Sequence, residues 1–422
     1  MKKTNLKHLN LYLYEEKLDN GLTIYVIPKQ NFNNIYVTFS TKFGSNEIEF
    51  IPNNKKEYVK VPLGIAHFLE HKLFEQKDNI DPFTFYNERG SDCNANTNQY
   101  KTTYLFSGPN FFSENLNYLL DYVQEPYFTD ENVEKEKGII EQEIKMYLDD
   151  PDTVIYEKTL ENCFSNHPMK NSIIGTIKSV RSITKEELYT CYNTFYHPSN
   201  MFIVVTGNVN PIETIKIIKE NQSKKKFDKI GKVKIKKYDE PVSVAVKKDK
   251  CKLNVSISEC VLAYKIPFKN NYESLIYTLT LFDCKLGSTS LFQEKLINDK
   301  LINESLVIDY NIVDNYLIIF VFAMTDYPEE VINKIKNEMK SLDIIEDDFN
   351  RKKKTLISSL IYLSDNIFRL NHSVINDVIF YGDVNTDLYD QIKALNFEDF
   401  NKFIKSLNLK NTTEYIVEPK ND

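Results

Sequence analysis

The sequence predicts a protein of mixed α and β structure built from two related halves. A chain of 422 residues is longer than one ordinary hydrophobic core requires, so we expect two or more domains. In the first half, short runs of β-branched and aromatic residues precede long amphipathic segments, which is the pattern of strands followed by helices. Two segments of the second half can also be laid over segments of the first with their apolar positions in step.

The predicted elements of the first half begin with two strands. Residues 22–27 and 35–40 are β-branched and aromatic runs separated by an asparagine-rich turn, and they predict a pair of neighbouring strands. A helix is predicted from about residue 63 through residue 74 by the spacing of its apolar residues. Its buried positions are expected at Ile65, Phe68, Leu69 and Leu73. A strand over about 101–107 and long helical segments over 111–163 follow.

A lysine-rich stretch separates the two halves. Residues 223–240 have the composition of an exposed linker, although the same lysines could instead bind an acidic partner. We therefore expect a first domain over 1–222, the linker over 223–240 and a homologous domain over 241–422.

The evidence for duplication is a pair of overlays. Residues 130–144 align with 346–360, and residues 183–188 align with 395–400. Two amphipathic helices often align by periodicity alone, but the similar order and separation of the two matches support a duplicated unit.

Composition restricts the class of protein. The net charge of -7 argues against nucleic acid as the main partner. No apolar stretch is long enough to cross a bilayer, and the start of the chain is polar where a signal peptide would be apolar, so a cytoplasmic location is expected. The six cysteines include no C-x-x-C pair and are expected to be reduced packing residues.

The run His67-Phe68-Leu69-Glu70-His71 is the strongest chemical signal in the chain. His67 and His71 are four residues apart, so on a helix both rings can reach one metal ion, and Glu70 lies on the same face. The order H-x-x-E-H is the inverted form of a zinc-peptidase motif in which the glutamate is the general base. The alternative is that two histidines simply pack on an apolar helix.

A catalytic zinc site takes three protein ligands, so another carboxylate is required. The acidic helical segment near residues 131–147 offers Glu143, which shares a helical face with apolar residues, whereas Glu141 points about 160° away from it. The apolar residues on that face are Ile139, Ile140, Met146 and Tyr147. Because a carboxylate on an apolar face needs a partner, Glu143 is the candidate third ligand.

Other glutamates of this segment have different expected roles. Glu136 lies two turns before Glu143, nearly in line with it, and could orient a metal ligand or belong to a solvated face. The solvated face, shared with neighbouring lysines, is expected to contain Glu131, Glu134 and Glu141. In the overlay of the two halves Glu143 becomes Ser359 and Glu136 becomes Lys352, so only the first half carries the metal motif.

These residues together resemble the pitrilysin, or insulinase, family of zinc peptidases, in particular the smaller two-domain members related to mitochondrial processing peptidase. The family's inverted motif matches His67, Glu70 and His71, and its distal glutamate matches Glu143, 72 positions after His71 (143 − 71). Glu136 matches a further acidic residue of the family and is counted with Glu70 among the candidate catalytic residues. Other matching segments include Asn20-Gly21-Leu22, Lys42-Phe43-Gly44-Ser45, Gly64-Ile65-Ala66, His167-Pro168, Ile174-Gly175-Thr176 and Tyr196-His197-Pro198.

The resemblance implies an α+β fold, in which each half is a mostly antiparallel sheet covered by helices, and a Zn²⁺ cofactor. It implies hydrolysis of unfolded peptides inside a chamber enclosed by paired halves. It also implies that Asn94, Ala95 and Asn96 present backbone groups to an extended substrate, as an added strand requires. From the residues alone, Asn94 could equally belong to a turn.

One departure from the family concerns the oxyanion. Active members use an Arg and a Tyr seven positions apart, and Leu296 and Asn303 stand in the matching places here. A related second subunit is therefore expected to supply the pair, which would make this chain the metal-bearing half of a heterodimer. The alternatives are a peptide-binding or scaffold subunit without catalysis, and a self-sufficient homodimer.

Overall fold

The computed structural model describes residues 1–53 and 55–420, which group into two compact units. Of these described residues, the first unit contains 1–53, 55–144, 172–237 and 361–386, and the second contains 145–171, 238–360 and 387–420. These units are not the two consecutive halves on either side of residues 223–240. Residues 145–171 come from the first half of the sequence but belong to the second unit, and residues 361–386 come from the second half but belong to the first unit.

The strands and helices are numbered separately along the chain. The strands are β1 (Lys2–Leu6), β2 (Leu11–Lys17), β3 (Thr23–Pro28), β4 (Ile35–Thr41), β5 (Glu49–Ile51), β6 (Val59–Lys60), β7 (Asp92–Thr97), β8 (Thr102–Gly108), β9 (Met201–Gly207), β10 (Lys234–Ile235), β11 (Lys248–Leu253), β12 (Glu259–Pro267), β13 (Val307–Val313), β14 (Tyr316–Met324) and β15 (Thr412–Pro419). The helices are α1 (Ile65–Leu73), α2 (Pro82–Asn87), α3 (Phe112–Gln124), α4 (Asp130–Leu148), α5 (Pro151–Cys163), α6 (Ile177–Ser182), α7 (Lys185–Phe195), α8 (Pro211–Ser223), α9 (Tyr272–Leu286), α10 (Leu291–Asn298), α11 (Pro328–Glu338), α12 (Glu346–Ser364), α13 (Ile367–Phe380), α14 (Leu388–Ala394) and α15 (Phe397–Ser406).

The first unit is built on a seven-stranded sheet in the order β1-β2-β3-β9-β4-β8-β7. Only the β3–β9 pair is parallel. The expected direct pairing of residues 22–27 with 35–40 is wrong, because β9 lies between β3 and β4. Every residue of β9 is buried, and a strand that is apolar on both faces is most stable in the middle of a sheet.

Helix α1 follows the sequence prediction closely and is shorter by two residues at its start and one at its end. The four expected core positions are each at most 2% exposed. The helix begins after Gly64, whose φ is +85°, and a Cβ at Gly64 would collide with the carbonyl oxygen of Ile174. Glycine is therefore required where the chain enters the helix.

Helix α13 belongs to the first unit although it comes late in the sequence. Its residues Leu370, Val374 and Ile375 pack in one apolar cluster with residues of β2, β3 and β9. Asn371 is fully buried in this interface, where its Nδ2 donates to the carbonyl of Val204 at 3.0 Å. The overlay of the two sequence halves did not predict that this helix belongs to the first unit.

The second unit is built on a five-stranded sheet in the order β11-β15-β12-β14-β13, in which only the β11–β15 pair is parallel. Helices α4 and α12, which the overlay matched, are both 19 residues long. Helices α7 and α15, in the second overlay, start after the capping residues Thr184 and Asn396 at corresponding positions. The predicted α+β class with mostly antiparallel sheets is confirmed.

The lysine-rich stretch is mostly exposed, but part of it is attached to the first unit. Strand β10 pairs antiparallel with β5. Lys225 lies 2.8 Å from a carboxylate oxygen of Asp121. In the part of the chain that the structure describes, no helix is long and apolar enough to cross a membrane. All six cysteines are free thiols, and five of them are buried.

A buried lysine in the first unit allows a stability prediction. Lys101 is 8% exposed, its ammonium makes no ion pair with residues that the structure describes, and burial lowers its pKa from 10.5 to about 8. That shift corresponds to about 3 kcal/mol of destabilisation below pH 8. Between pH 8 and 10.5 the unfolded chain binds more protons than the folded one, so this cost disappears as the pH rises.

Lys101→Met is therefore expected to raise the free energy of unfolding at pH 7 and to raise it less at pH 9.5. Urea unfolding of both proteins at the two pH values measures the difference. The matched control is Lys216→Met on α8, where the lysine side chain is 72% exposed. If Lys101→Met is no more stable than the parent at pH 7, the assignment of an uncompensated buried charge is contradicted.

Candidate metal centre

The inverted motif lies on α1, whose apolar residues attach it to the first unit. His67 and His71 are one turn apart with ring centroids separated by 4.5 Å. Burial and the charge of His71 lower the pKa of His67 to about 3, so the His67 imidazole is neutral at pH 7 and available as a ligand.

Helix α4 brings Glu143 to the two imidazoles. One carboxylate oxygen of Glu143 lies 3.6 Å from Nε2 of His67, and the other lies 3.6 Å from Nε2 of His71. One potential ligand atom from each of the three residues lies within 4.8 Å of the others. The first unit therefore brings together the three residues that the sequence predicted as metal ligands.

Glu143 was selected from the sequence by a face argument that is partly wrong. Ile139 and Met146, expected to share a buried face with it, are 49% and 59% exposed. The buried face of α4 instead contains Val133, Glu136, Ile140 and Ile144. Glu143 lies beside that face, half-buried, and its position towards the histidines depends on how α4 packs against α1.

Glu141 also differs from its expected solvated environment. Its two carboxylate oxygens accept hydrogen bonds from Arg181 Nε and Nη2 at 2.6 and 2.9 Å. Glu141 is therefore held in a bidentate pair away from the histidines. Glu134, by contrast, is exposed and pairs with Lys137 at 3.0 Å, as expected for a solvated face.

The donor set fits a zinc ion. Two imidazoles and a carboxylate are a ligand combination of catalytic zinc sites, which leave one further position for water. Within the described residues, the two histidines are the only ion-pair partners of Glu143, and His67 is neutral. A divalent cation between the carboxylate and the two imidazoles would be bound by all three side chains.

Glu136 contacts the ring of His71 on the side away from Glu143. Its Oε1 lies 2.9 Å from Nδ1 of His71, and its Oε2 lies 3.9 Å from Nζ of Lys72. Burial lowers the pKa of His71, but the hydrogen bond and charge of Glu136, together with the charges of Glu143 and Glu70, raise it, and the net shift is upward. A carboxylate bound to the outer nitrogen of a ligand histidine orients the ring and makes its inner nitrogen more basic.

Glu136→Gln is expected to weaken zinc binding by about 10- to 100-fold, because the amide keeps the shape of the side chain and loses the charge behind His71. Competition with a chromogenic chelator measures the zinc affinity. Glu134→Gln on the same helix, an exposed glutamate paired with Lys137, is the matched control. Equal zinc affinity in the parent and Glu136→Gln would mean that Glu136 has no part in orienting His71.

Glu70 is buried beside the three candidate ligands and is 8% exposed. Burial raises its pKa, partly opposed by a hydrogen bond that its Oε2 accepts from the hydroxyl of Thr97. A carboxylate with a raised pKa accepts a proton more readily, as a general base requires.

Strand β7 contains the residues predicted to bind substrate, and it is an edge strand of the sheet. Ala95 and Thr97 share one face of β7, and Thr97 contacts Glu70 there. Asn94 and Asn96 alternate with them and therefore point to the opposite face. Asn94 Oδ1 accepts a hydrogen bond from the Ala95 N–H at 2.8 Å, so an incoming strand would have to replace this contact to use that donor.

Two residues of the site were missed by the sequence interpretation. The sequence analysis gave Thr97 no role, and nothing in the sequence indicated its contact with Glu70. Lys72 could have been found, because it lies three residues after Leu69 and four after Phe68, on the apolar side of α1. It is fully buried, pairs with Glu75 and donates to the carbonyl of Asn132 at 3.2 Å.

A two-unit α+β fold with an inverted histidine–glutamate motif defines a metallopeptidase-type protein. The model of the insulinase family, peptidase family M16, matches residues 59–177, and the model described as the peptidase M16 inactive domain matches residues 182–356. The chain belongs to peptidase family M16, the insulinase or pitrilysin family, as its motifs predicted.

Relatives at several distances agree with this assignment. The uncharacterized zinc protease YmfH of Bacillus subtilis is 44% identical over 283 residues, covering 67% of this chain and 66% of YmfH. The solved structure of an M16-like peptidase from Alicyclobacillus acidocaldarius has a TM-score of 0.92 and 30% identity, covering 97% of this chain and 99% of that one.

A probable mitochondrial-processing peptidase beta subunit of Arabidopsis thaliana is 30% identical over 37% of this chain and 30% of its own length. The match to two zinc proteases of Rickettsia spans about half of their length, 46% and 47%. YmfH and the two Rickettsia relatives are each named as zinc proteases.

Proposed function

We propose that this chain is a zinc-dependent endopeptidase that hydrolyses unfolded peptides or oligopeptides. His67, His71 and Glu143 would hold the metal, and Glu70 would act as general base. The observation that carries the proposal is the convergence of three ligand atoms within 4.8 Å beside a buried carboxylate. The cytoplasmic location expected from the sequence stays a prediction.

The residues of the first unit have distinct tasks in this reaction. A zinc ion bound by them would lower the pKa of a water molecule and polarise the scissile carbonyl. Glu70 takes the proton from the attacking water at its carboxylate and delivers it to the leaving amine, while Thr97 holds the carboxylate in place through its hydroxyl. Glu136 keeps the His71 ring oriented.

The substrate would bind as an added strand along β7. The outer edge of β7 is the end of the seven-stranded sheet, so its backbone donors and acceptors can pair with an extended peptide. Thr97 connects this edge to Glu70, which would place a bond of the added strand near the proposed base. Asn94, Ala95 and Asn96 remain the proposed substrate-binding residues.

The oxyanion partners are proposed to come from a related subunit. Leu296 lies in α10 and is 1% exposed, so it is a core residue of the second unit, and Asn303 is exposed. Neither carries the chemistry of the family's Arg and Tyr. Loss of one oxyanion donor typically costs about 100- to 1,000-fold in rate, which favours a heterodimer, with the chamber shared between subunits.

The non-catalytic alternative is less well supported. A scaffold or peptide-binding subunit has no need for three converging ligands, a buried general base and an outer carboxylate on one of the histidines. A self-sufficient homodimer would require another group to replace the Arg and Tyr.

The test is cleavage of a mixed pool of unfolded peptides by the purified, zinc-quantified chain, alone and with any copurifying family subunit. We expect slow cleavage alone and at least tenfold faster cleavage with the partner, a conservative fraction of the oxyanion contribution. Equal rates would overturn the heterodimer. Zinc-loaded protein that never cleaves peptides under either condition would overturn the peptidase function.

A further inference from the structure

The lysine-rich stretch is strongly charged and has no part in the proposed chemistry. Residues 223–237 contain eight lysines, no arginine and one aspartate, which is a net charge of +7 in a chain whose total is -7. Within the described residues, two of these lysines form ion pairs, Lys225 with Asp121 and Lys236 with Glu49. The other six are exposed and form no ion pair with residues that the structure describes: Lys224, Lys226, Lys229, Lys232, Lys234 and Lys237.

This stretch is attached to the surface of the first unit at several points. Strand β10 pairs with β5, and Nε2 of His197 lies 2.8 Å from the carbonyl oxygen of Asp228. Because Nδ1 of the same ring accepts a hydrogen bond from the Ser199 N–H, Nε2 carries the hydrogen and donates it to that carbonyl. The unpaired lysines are therefore presented together on a folded surface and not on a free tether.

Two lysines from other parts of the first unit extend the positive charge. Lys17 ends β2 and is exposed, and Lys42 follows β4 and is half-buried. Burial lowers the pKa of Lys42, and the nearby charges of Lys232 and Lys17 lower it further. Neither Lys17 nor Lys42 forms an ion pair with a described residue. We define the basic surface as Lys17, Lys42 and the six unpaired lysines of residues 223–237.

A cavity of about 650 Å³ opens beside this basic surface. Lys226 and Lys229 line it, against a single carboxylate, that of Asp228. Tyr189 of α7 and Phe227 contribute aromatic rings to its walls. The volume is within the usual range of ligand pockets and is sufficient for one large side chain with its adjoining main chain.

The charge distribution favours a short acidic polypeptide segment over an extended polyanion. Outside residues 223–237 the chain has a net charge of -14 (-7 minus 7), which repels a nucleic acid or an anionic bilayer that extends past the basic surface. A short segment is influenced mainly by the lysines that it touches, because charges beyond about 8 Å are screened at physiological salt. A polypeptide also has side chains that can enter the cavity, whereas a bilayer surface has none.

We propose that the basic surface binds an acidic segment of a partner polypeptide, with an aromatic side chain of that segment in the cavity. Aspartate and glutamate side chains of the partner would pair with the unpaired lysines, including Lys226 and Lys229, and would steer its approach. The aromatic side chain would contact Tyr189 and Phe227. This interaction uses no residue of the candidate metal centre and does not depend on the peptidase function.

Binding of defined polyanions tests the proposal. Fluorescence anisotropy is recorded with a labelled twelve-residue peptide of glutamates with one central phenylalanine, with the same peptide containing glutamine for glutamate, and with a twelve-nucleotide oligothymidylate. The protein is the full chain carrying Glu70→Gln, so that the peptides stay intact whether or not the parent cleaves them. We expect the acidic peptide to bind about tenfold more tightly than either other probe, and its binding to weaken as salt is added.

Two independent pairs of substitutions locate the binding. Lys226→Gln with Lys229→Gln, at the cavity, and Lys42→Gln with Lys232→Gln, beside it, are each expected to weaken binding of the acidic peptide by about fivefold. Replacing the central phenylalanine of the peptide by serine should weaken binding to the parent and have less effect on the Lys226 and Lys229 pair, because the two contacts share the cavity. Urea unfolding verifies that each variant is folded.

The matched control is Lys158→Gln with Lys402→Gln in the second unit, which removes the same charge from lysines whose side chains are 47% and 69% exposed. We expect this pair to bind the acidic peptide as the parent does. The proposal is wrong if the control weakens binding as much as the cavity pair, or if the glutamine peptide binds as tightly as the acidic one. Tighter binding of oligothymidylate, or capture by phosphatidylglycerol vesicles without peptide binding, would also overturn it.

Discussion

Replacing Glu70 by glutamine is expected to lower the rate of peptide hydrolysis by about 100- to 10,000-fold while zinc stays bound, because the variant loses only the proton acceptor. The amide has nearly the shape of the carboxylate, and its oxygen can still accept the hydrogen bond from Thr97. The metal ligands His67, His71 and Glu143 are untouched. Single-turnover cleavage and zinc content are measured on the same preparations.

The control for Glu70→Gln is Glu88→Gln, which alters a glutamate of the same unit just beyond α2 with its side chain 70% exposed. We expect that variant to keep most of the parent rate. Full activity in Glu70→Gln would show that another group accepts the proton. Loss of zinc in Glu70→Gln would show instead that Glu70 contributes to metal binding.

Replacing Glu143 by glutamine is expected to have the second large effect, on zinc itself. Among the residues that the structure describes, Glu143 is the one carboxylate paired with both imidazoles, at 3.6 Å from each Nε2. Removing a residue that only orients a ligand histidine, as Glu136 orients His71, typically weakens metal binding by about 10- to 100-fold. Removing Glu143 should weaken zinc binding by more than this, because Glu143 is a proposed ligand, and the rate of cleavage should fall as zinc is lost. Zinc affinity is measured by chelator competition, and cleavage is measured with zinc added in excess.

The matched control is Glu141→Gln, on the same helix two residues earlier. Glu141 is bound by Arg181 and does not face the histidines. We expect Glu141→Gln to keep its zinc and its rate. If Glu141→Gln and Glu143→Gln lost zinc to the same extent, the loss would reflect a general disturbance of α4, and Glu143 would not be a metal ligand.

The candidate site shows how far local sequence rules reach. The helix predicted for His67, Glu70 and His71 is present, and because residues three and four apart on a helix share a face, these three side chains lie together. Glu143 also lies beside the histidines, but the argument that selected it was partly wrong. That argument placed Glu143 on an apolar face with Ile139 and Met146, and both of these residues are exposed. Helical phase indicates which residues lie together on α4 and does not indicate which neighbouring element they meet.

The same limit applies to the sheet of the first unit. The composition of β3 and β4 predicted two strands correctly, and their pairing was predicted wrongly because β9 lies between them. A strand that occurs about 160 residues later cannot be placed by turn signals near residues 28–34. Its complete burial, visible only in the folded sheet, explains its central position.

By itself, the sequence determined the family, the α+β class and the shared helical face of His67, Glu70 and His71, because these depend on short spacings and side-chain chemistry. Only the tertiary structure decided that Thr97 contacts Glu70, that Glu136 contacts His71, and that α13 completes the first unit. These contacts join residues 27, 65 and more than 160 positions apart. Such pairs are selected by the packing of whole elements, which no local periodicity encodes.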